Sequence, residues 1–177
     1  MTICAWGKRY RFGVVRENVV HLNRLGHALG ECWEEIPRHF AEVELDAFVV
    51  MPNHLHGIVV IHEAEGTACR APTVERYGKP VRGSLPTIVR SFKSAATRTG
   101  REILAPGAVV WQRGYYEHII RDEHSWQKVR EYIATNPERW GTDWENPQRS
   151  GEDKFRVWLD SFKGRPGGSR PHSEGRR

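Results

Sequence analysis

The hydrophobic pattern of the first 62 residues changes from short extended runs to an amphipathic helix and back. Extended segments are predicted at 2–6, 12–15 and 19–22, the last two as arms of a hairpin. Apolar residues then recur at helical spacing over 25–36, with Asn23 as the candidate N-cap and Pro37 as the stop. A helix with one apolar face should cover a sheet.

Two β-rich runs, 43–51 and 54–62, form the most continuous apolar part of the chain. Pro52 and Asn53 connect them, which predicts an antiparallel pair joined by a tight turn. Because the apolar character hardly alternates, we expect this pair at the centre of a sheet with both faces covered.

The remaining chain alternates helix and strand before it loses its pattern. Residues 63–83 have no period and predict a flexible insertion. Apolar spacing predicts a helix over 85–101, a strand over 111–121 and a helix over 122–136 that Pro137 ends. This order of elements is typical of an α+β protein.

Composition divides the 177 residues into one domain and a tail. Residues 1–145 suit a single compact catalytic domain. Gly, Pro, Ser and charged residues dominate 146–177, which predicts a basic, disordered tail that could tether DNA nonspecifically.

The 27 Lys and Arg exceed the 22 Asp and Glu, and the net charge of +5 favours a polyanionic partner. No run approaches the roughly 18 apolar residues of a membrane span, so we expect a cytoplasmic protein without a membrane partner. The three cysteines are widely spaced and support neither a disulfide framework nor a zinc ribbon.

The first candidate for chemistry is the pair His54 and His56. In a strand, residues two apart point to the same face with Cα atoms roughly 6.5–7 Å apart, so both imidazoles can reach one ion. The same pair fits polar strand ends beside a turn equally well.

The second candidate lies on the last predicted helix, where Tyr132 and Asn136 are four residues apart and share a face. An amide oxygen and two neutral imidazoles form an open ligand set suited to Mg²⁺ or Mn²⁺. An adjacent cation would favour the phenolate of Tyr132, which could then attack a DNA phosphate and remain joined to it. Taken singly, Tyr132 also fits an ordinary packed tyrosine and Asn136 a helix-ending residue.

Four segments resemble the single-tyrosine HUH transposases of insertion sequences, and within them the REP-associated tyrosine transposases. They are 49–61 (VVMPNHLHGIVVI), 84–96 (SLPTIVRSFKSAA), 111–123 (WQRGYYEHIIRDE) and 129–140 (VREYIATNPERW). They stand in the family's order and extend across most of the chain.

The resemblance implies a ferredoxin-like antiparallel sheet with helices packed on it, the HUH endonuclease fold. It implies Tyr132 as nucleophile, with His54, His56 and Asn136 as ligands of Mg²⁺ or Mn²⁺. The implied substrate is single-stranded DNA bearing a hairpin or palindromic repeat, nicked and rejoined through a 5′-phosphotyrosine. Asn136 followed by Pro137 resembles the corresponding motif of the REP-associated branch.

Two departures from the family's pattern stand out. The chain begins almost at the first strand, where many members carry residues that help to recognise nucleotides beside the hairpin. The tail has no counterpart in the family's motifs. Whether the protein acts as a monomer or a homodimer is left open.

A basic stripe on the helix 85–101 is a candidate DNA contact, although it also fits a solvated helix face. Its members are Arg90, Lys93, Arg98 and Arg101.

Tyr115 and Tyr116 compete with Tyr132 as nucleophile, but in a strand they point to opposite faces and lack a ligand partner at helical spacing. We interpret both as core or base-stacking residues.

Two other classes of function remain open. In a metal-dependent nuclease the histidines would bind a metal that activates water, and Tyr132 would only position substrate. In a noncatalytic nucleic-acid-binding module, a similar sheet with aromatic and basic residues would bind without cleaving. The nuclease predicts cleavage without protein-linked DNA, and the binding module predicts binding that survives loss of both histidines.

Overall fold

The computed structural model describes residues 1–62 and 81–162. Its centre is an antiparallel sheet of three strands, β1 Thr2–Cys4, β4 Val43–Val50 and β5 His54–Ile61. Their order in the sheet is β1-β5-β4. The predicted pair around Pro52 and Asn53 is therefore confirmed, with β5 in the middle of the sheet.

The predicted hairpin forms a separate two-stranded ribbon, β2 Gly13–Arg16 and β3 Val19–Leu22. The turn residues Glu17 and Asn18 both have positive φ, as a tight turn between twisted strands requires.

The first predicted helix is split in two. Helix α1 runs Arg24–Glu34, and the Asn23 side chain accepts a hydrogen bond from the Gly26 amide as the predicted N-cap. The expectation that this helix reaches residue 36 is wrong, because Pro37 instead occupies the first turn of a short helix, α2 Ile36–His39. Proline is tolerated there since first-turn amides need no helical partner.

Two longer helices follow as predicted. Helix α3 runs Leu85–Gly100 with Ser84 as its N-cap, and helix α4 runs Glu123–Ala134 with Asp122 as its N-cap. The prediction that Asn136 lies in the final turn of α4 is wrong, because the helix ends two residues earlier and Asn136 lies in the turn that follows.

The two faces of β5 pack against different helices. Leu55 joins a large core that includes Trp33 of α1 and Phe92 of α3. Gly57 makes this packing possible, because a Cβ there would lie 2.3 Å from the Trp33 ring. Ile58 faces the other way and packs with Val129 and Ile133 of α4. Helices therefore cover both faces of the sheet, which makes the protein α+β as predicted.

The predicted strand 111–121 is wrong. The segment runs beside β1 but makes only isolated bridges to it, Thr2 with Tyr116 and Ala5 with Trp111. Gly114 has φ +69°, and Lys93 takes the carbonyl oxygens of Gln112 and Gly114 as hydrogen-bond acceptors. These two carbonyls bond to a side chain, and the segment forms no regular ladder with β1.

Beyond the predicted boundary at residue 145, the first part of the predicted tail has regular structure. Residues 146–162 are folded and include a helix, α5 Lys154–Asp160, whose Phe155 is buried against α4. This helix was not predicted because the few apolar residues that form it lie in a segment rich in Gly, Pro, Ser and charged residues. Residues 163–177 of the predicted tail, and 63–80 of the predicted insertion, lie outside the described residues. No helix of the described part is long and apolar enough to cross a membrane.

Candidate metal and tyrosine site

The predicted histidine pair lies at the start of β5 on the face that α4 covers. The two rings are 4.3 Å apart between centroids, and His54 is completely buried. The Nδ1 atom of His54 is 2.8 Å from Oδ1 of Asn53, and Nδ1 of His56 is 2.8 Å from Oγ1 of Thr2. These contacts fix both rings and point both Nε2 atoms into the site.

Both Nε2 atoms point toward the carboxylate of Asp143. The distances to its Oδ2 are 3.9 Å from His54 and 3.8 Å from His56, too long for hydrogen bonds. Within the described residues, neither Nε2 atom has a hydrogen-bond partner although both are buried. The three side chains offer ligand atoms that all lie within 4.8 Å of one another.

Asn136 reaches the same carboxylate from the end of α4. Its Nδ2 donates a 2.7 Å hydrogen bond to Oδ2 of Asp143, and its side chain is completely buried. Its Oδ1 has no partner in the part of the chain that the structure describes. An unpaired buried carbonyl oxygen is costly unless an ion or water meets it.

Tyr132 completes the cluster from the last turns of α4. Its hydroxyl donates to Oδ2 of Asp143 at 3.0 Å, with Asp153 a longer second acceptor at 3.5 Å. Its ring stacks on Phe155 at 3.8 Å between centroids and meets the edge of His56 at 5.2 Å. The nucleophile predicted from the sequence therefore lies beside the predicted ligands.

Burial and charge set the protonation states of the site. Burial, with some contribution from His56, lowers the pKa of His54 to about 3, so this ring is neutral at physiological pH. Burial, Asp143 and Asp153 raise the pKa of the Tyr132 phenol, which is therefore protonated without a cation. Burial alone would raise the pKa of Asp143, but the histidines and Asn136 outweigh it and the pKa lies below its ordinary value.

These donors fit a divalent cation. Imidazoles with free Nε2 atoms, an unpaired amide oxygen and a carboxylate are ligand groups for transition metals and Mg²⁺. The surrounding hydrogen bonds already hold the imidazoles in place, as the outer partners of metal ligands do.

Sequence reasoning missed the acidic residues of the site. Asp143 and Asp153 lie in irregular segments after α4, where no periodicity marks which side chain turns inward. Glu145 is buried beside them and pairs with Lys8 at 3.1 Å. Only their position shortly after the Tyr132 helix could have drawn attention to them.

The structure does not bring the basic stripe of α3 to this site. The apolar side of α3 packs in the core on the opposite face of the sheet, where Phe92 meets Trp33. Arg90, Arg98 and Arg101 are exposed there. Lys93 is half-buried, and burial lowers its pKa to about 8 while its ammonium binds backbone carbonyls.

The competing tyrosines have different surroundings. Tyr115 packs against the core of the α1 face. Tyr116 lines the same cavity as His56 and Tyr132, and its ring lies 5.7 Å from the guanidinium of Arg156. Tyr132 is the tyrosine whose hydroxyl bonds to Asp143.

Comparison with solved structures finds this fold in a REP-associated tyrosine transposase bound to a REP hairpin. The TM-score is 0.53 at 22% identity, and the match covers 79% of this chain and 66% of that one. This chain thus spans just under two thirds of the solved protein. The fold is that of HUH transposases, with helices packed on an antiparallel sheet.

Comparison of sequences finds an uncharacterized protein of Haemophilus influenzae that is 44% identical over 150 residues, 81% of each chain. The chain belongs to the same family as that protein. No family model matches the chain.

Proposed function

We propose that this protein is a metal-dependent DNA strand-transfer enzyme with Tyr132 as its nucleophile. The observation that carries the proposal is a single buried cluster. The phenol of Tyr132, the amide of Asn136 and the free Nε2 atoms of both histidines converge on one oxygen of Asp143.

His54 and His56 would hold the cation through Nε2, together with Oδ1 of Asn136 or the carboxylate of Asp143. Mg²⁺ or Mn²⁺ bound there would supply positive charge that favours the phenolate and polarises a scissile phosphate. The protein's own residues do the rest: Asp143 orients the phenol, and Phe155 fixes its ring.

In the proposed reaction the phenol oxygen of Tyr132 attacks a backbone phosphorus. A bond between phosphorus and the tyrosine oxygen forms, and the bond from phosphorus to the 3′ oxygen breaks. The phenol loses its proton, and the released 3′ oxygen gains one. Because the 5′ phosphate stays on Tyr132, the reverse reaction can rejoin a strand without ATP.

The proposed substrate is single-stranded DNA that carries a hairpin or palindromic repeat. Two observations support it: the transposase of the same fold is bound to a REP hairpin, and four segments of this chain resemble REP-associated tyrosine transposases. The net charge of +5 suits a polyanionic substrate.

A denaturing gel with labelled hairpin-bearing single-stranded DNA tests this proposal. With Mn²⁺ the wild type should give a protein-linked DNA band, and EDTA should remove it. Tyr132→Phe should abolish the band because it deletes only the attacking oxygen. Tyr115→Phe and Tyr116→Phe are matched controls and should retain it.

The other possible results separate the competing classes of function. Metal-dependent cutting without a protein-linked band would point to a nuclease that uses water. Binding that is unchanged in a His54→Ala, His56→Ala double variant, with no cutting at all, would point to a noncatalytic module.

A further inference from the structure

Two aromatic rings and two guanidinium groups alternate along the protein beside the candidate site. The guanidinium of Arg156 lies 5.7 Å from the centre of the Tyr116 ring and 5.2 Å from the centre of the Trp144 ring. The second guanidinium, that of Arg149, lies 4.5 Å from the centre of the Trp144 ring. We call these four side chains the aromatic track.

One end of the aromatic track reaches the candidate site. Tyr116 and Arg156 line a cavity of about 520 Å³ whose lining also includes Tyr132. The other end lies at the surface, where Arg149 is exposed and Trp144 keeps 40% of its surface in contact with solvent. The track therefore leads from the proposed nucleophile to the outside of the protein.

The backbone on both sides of Trp144 holds its ring in place. The Trp144 amide donates a 3.1 Å hydrogen bond to Oδ2 of Asp153, and the Trp144 carbonyl accepts one of 3.4 Å from Lys8. Because the chain neighbours Asp143 and Glu145 are both buried, Trp144 is left on the outside between them. A ring that is already held in position loses little entropy when a flat ligand stacks on it.

The two arginines place positive charge beside these rings. Arg156 is held by an ion pair with Asp160 at 3.2 Å. Arg149 donates one hydrogen bond, of 3.3 Å, to the carbonyl of Gly151. Since a guanidinium carries five N–H donors, this contact leaves donors of Arg149 for an anion at the surface.

Alternating rings and cations match the bases and phosphates of an unpaired nucleic acid strand. We propose that the aromatic track binds the unpaired DNA next to the scissile phosphate. One base stacks on the Trp144 ring while the Arg149 guanidinium holds a neighbouring phosphate. The Tyr116 ring meets a base closer to Tyr132. This inference rests on the proposed function, because it takes single-stranded DNA as the substrate.

The track distinguishes unpaired from paired DNA without reading a base sequence. Every base has a face that can stack on an aromatic ring, and phosphate contacts carry no sequence information. In a duplex the base faces are already stacked on one another. The aromatic track therefore favours the unpaired strand beside a hairpin over the hairpin stem.

Fluorescence anisotropy with two labelled oligonucleotides tests the proposal. One is octathymidylate, and the other has the same sugar-phosphate backbone with abasic sites throughout. EDTA is present so that no strand is cut. The wild type should bind octathymidylate about 5- to 100-fold more tightly, because only its bases can stack on the rings. This comparison uses the wild-type chain and needs no variant to fold.

Variants assign the preference to the track. Trp144→Ala should lose most of the difference between the two oligonucleotides, and Trp144→Phe should restore part of it because a ring is present again. Arg149→Ala should weaken binding of both, and it should lower the slope of log affinity against log salt concentration by about 0.7. Arg38→Ala removes an exposed arginine from α2, which packs with the larger core, and should bind as the wild type does.

Two results would overturn the proposal. They are equal affinity of the wild type for the two oligonucleotides, and a full preference for octathymidylate in Trp144→Ala. Binding in EDTA requires neither the metal nor the attack by Tyr132, so the two proposals can fail separately. A preference that depends on Trp144, without any protein-linked band in the denaturing gel, would sink strand transfer alone. A band without this preference would sink the aromatic track alone.

Discussion

At the scale of single residues, the Asp143 carboxylate links the two halves of the candidate site. Its Oδ2 accepts from Tyr132 and Asn136 and faces both histidines, while its Oδ1 accepts the Glu145 amide at 2.7 Å. A buried carboxylate with this many donors is held rigidly. It therefore sets where the phenol stands relative to the imidazoles.

Asp143→Asn should weaken Mn²⁺ binding by roughly 10–100-fold, because it removes the negative charge beside the histidines at almost unchanged volume. Isothermal titration calorimetry with Mn²⁺ measures this affinity. Glu152→Gln makes the same charge change at an exposed position and should bind as the wild type does. Equal affinity in Asp143→Asn would show that this carboxylate does not hold the cation.

The site residues that could be predicted from the sequence are those that lie close to one another along the chain. His54 and His56 are two apart on a strand, and Tyr132 and Asn136 are four apart at a helix end, so local geometry brings each pair together. Asp143 reaches the site through the irregular chain after α4, and only the folded structure shows this.

At the scale of elements, α3 holds the segment that follows it. Lys93 donates to the carbonyl of Gln112 at 2.9 Å and to that of Gly114, and its own carbonyl accepts from the Trp111 indole at 3.1 Å. These contacts could not be predicted from the sequence, because the side chains of 111–121 alternate as they do in a strand. In the structure, the backbone of this segment bonds to the Lys93 side chain instead of to a continuous neighbouring strand. The Lys93 side chain therefore helps to hold the fold together.

Lys93→Met should lower the free energy of unfolding by about 1–3 kcal/mol, because two half-buried carbonyls lose their donor. Urea unfolding followed by tryptophan fluorescence measures the change. Arg98→Met, on the exposed side of the same helix, should change stability by less than about 0.5 kcal/mol. If the two variants are equally stable, the Lys93 ammonium does not hold this segment.

At the scale of the whole molecule, the protein has two cores, one on each face of the sheet. The larger lies between the sheet and α1 with α3, and it was predictable because helical and strand periodicities agree there. The smaller joins β5, α4 and α5 around the candidate site. Its residues Phe155, Trp158 and Leu159 come from the segment 146–162, whose polar composition gave no sign of a short helix.

Phe155→Ala should lower the free energy of unfolding by about 3 kcal/mol, because a buried ring stacked on Tyr132 is removed. Urea unfolding again measures it. Val157→Ala, in the same helix but exposed, should change stability by less than about 0.5 kcal/mol. Equal stability of the two variants would mean that α5 does not support the site.

If Tyr132 becomes covalently joined to DNA, peptide mass spectrometry of the reacted protein will locate the nucleotide on it. Trypsin places Tyr132 in the peptide 131–139 and both competing tyrosines in the peptide 114–121. We expect a nucleotide 5′-phosphate on the peptide 131–139, formed with Mn²⁺ and absent with EDTA. A nucleotide on the peptide 114–121, or cleaved DNA with every tyrosine unmodified, would contradict it.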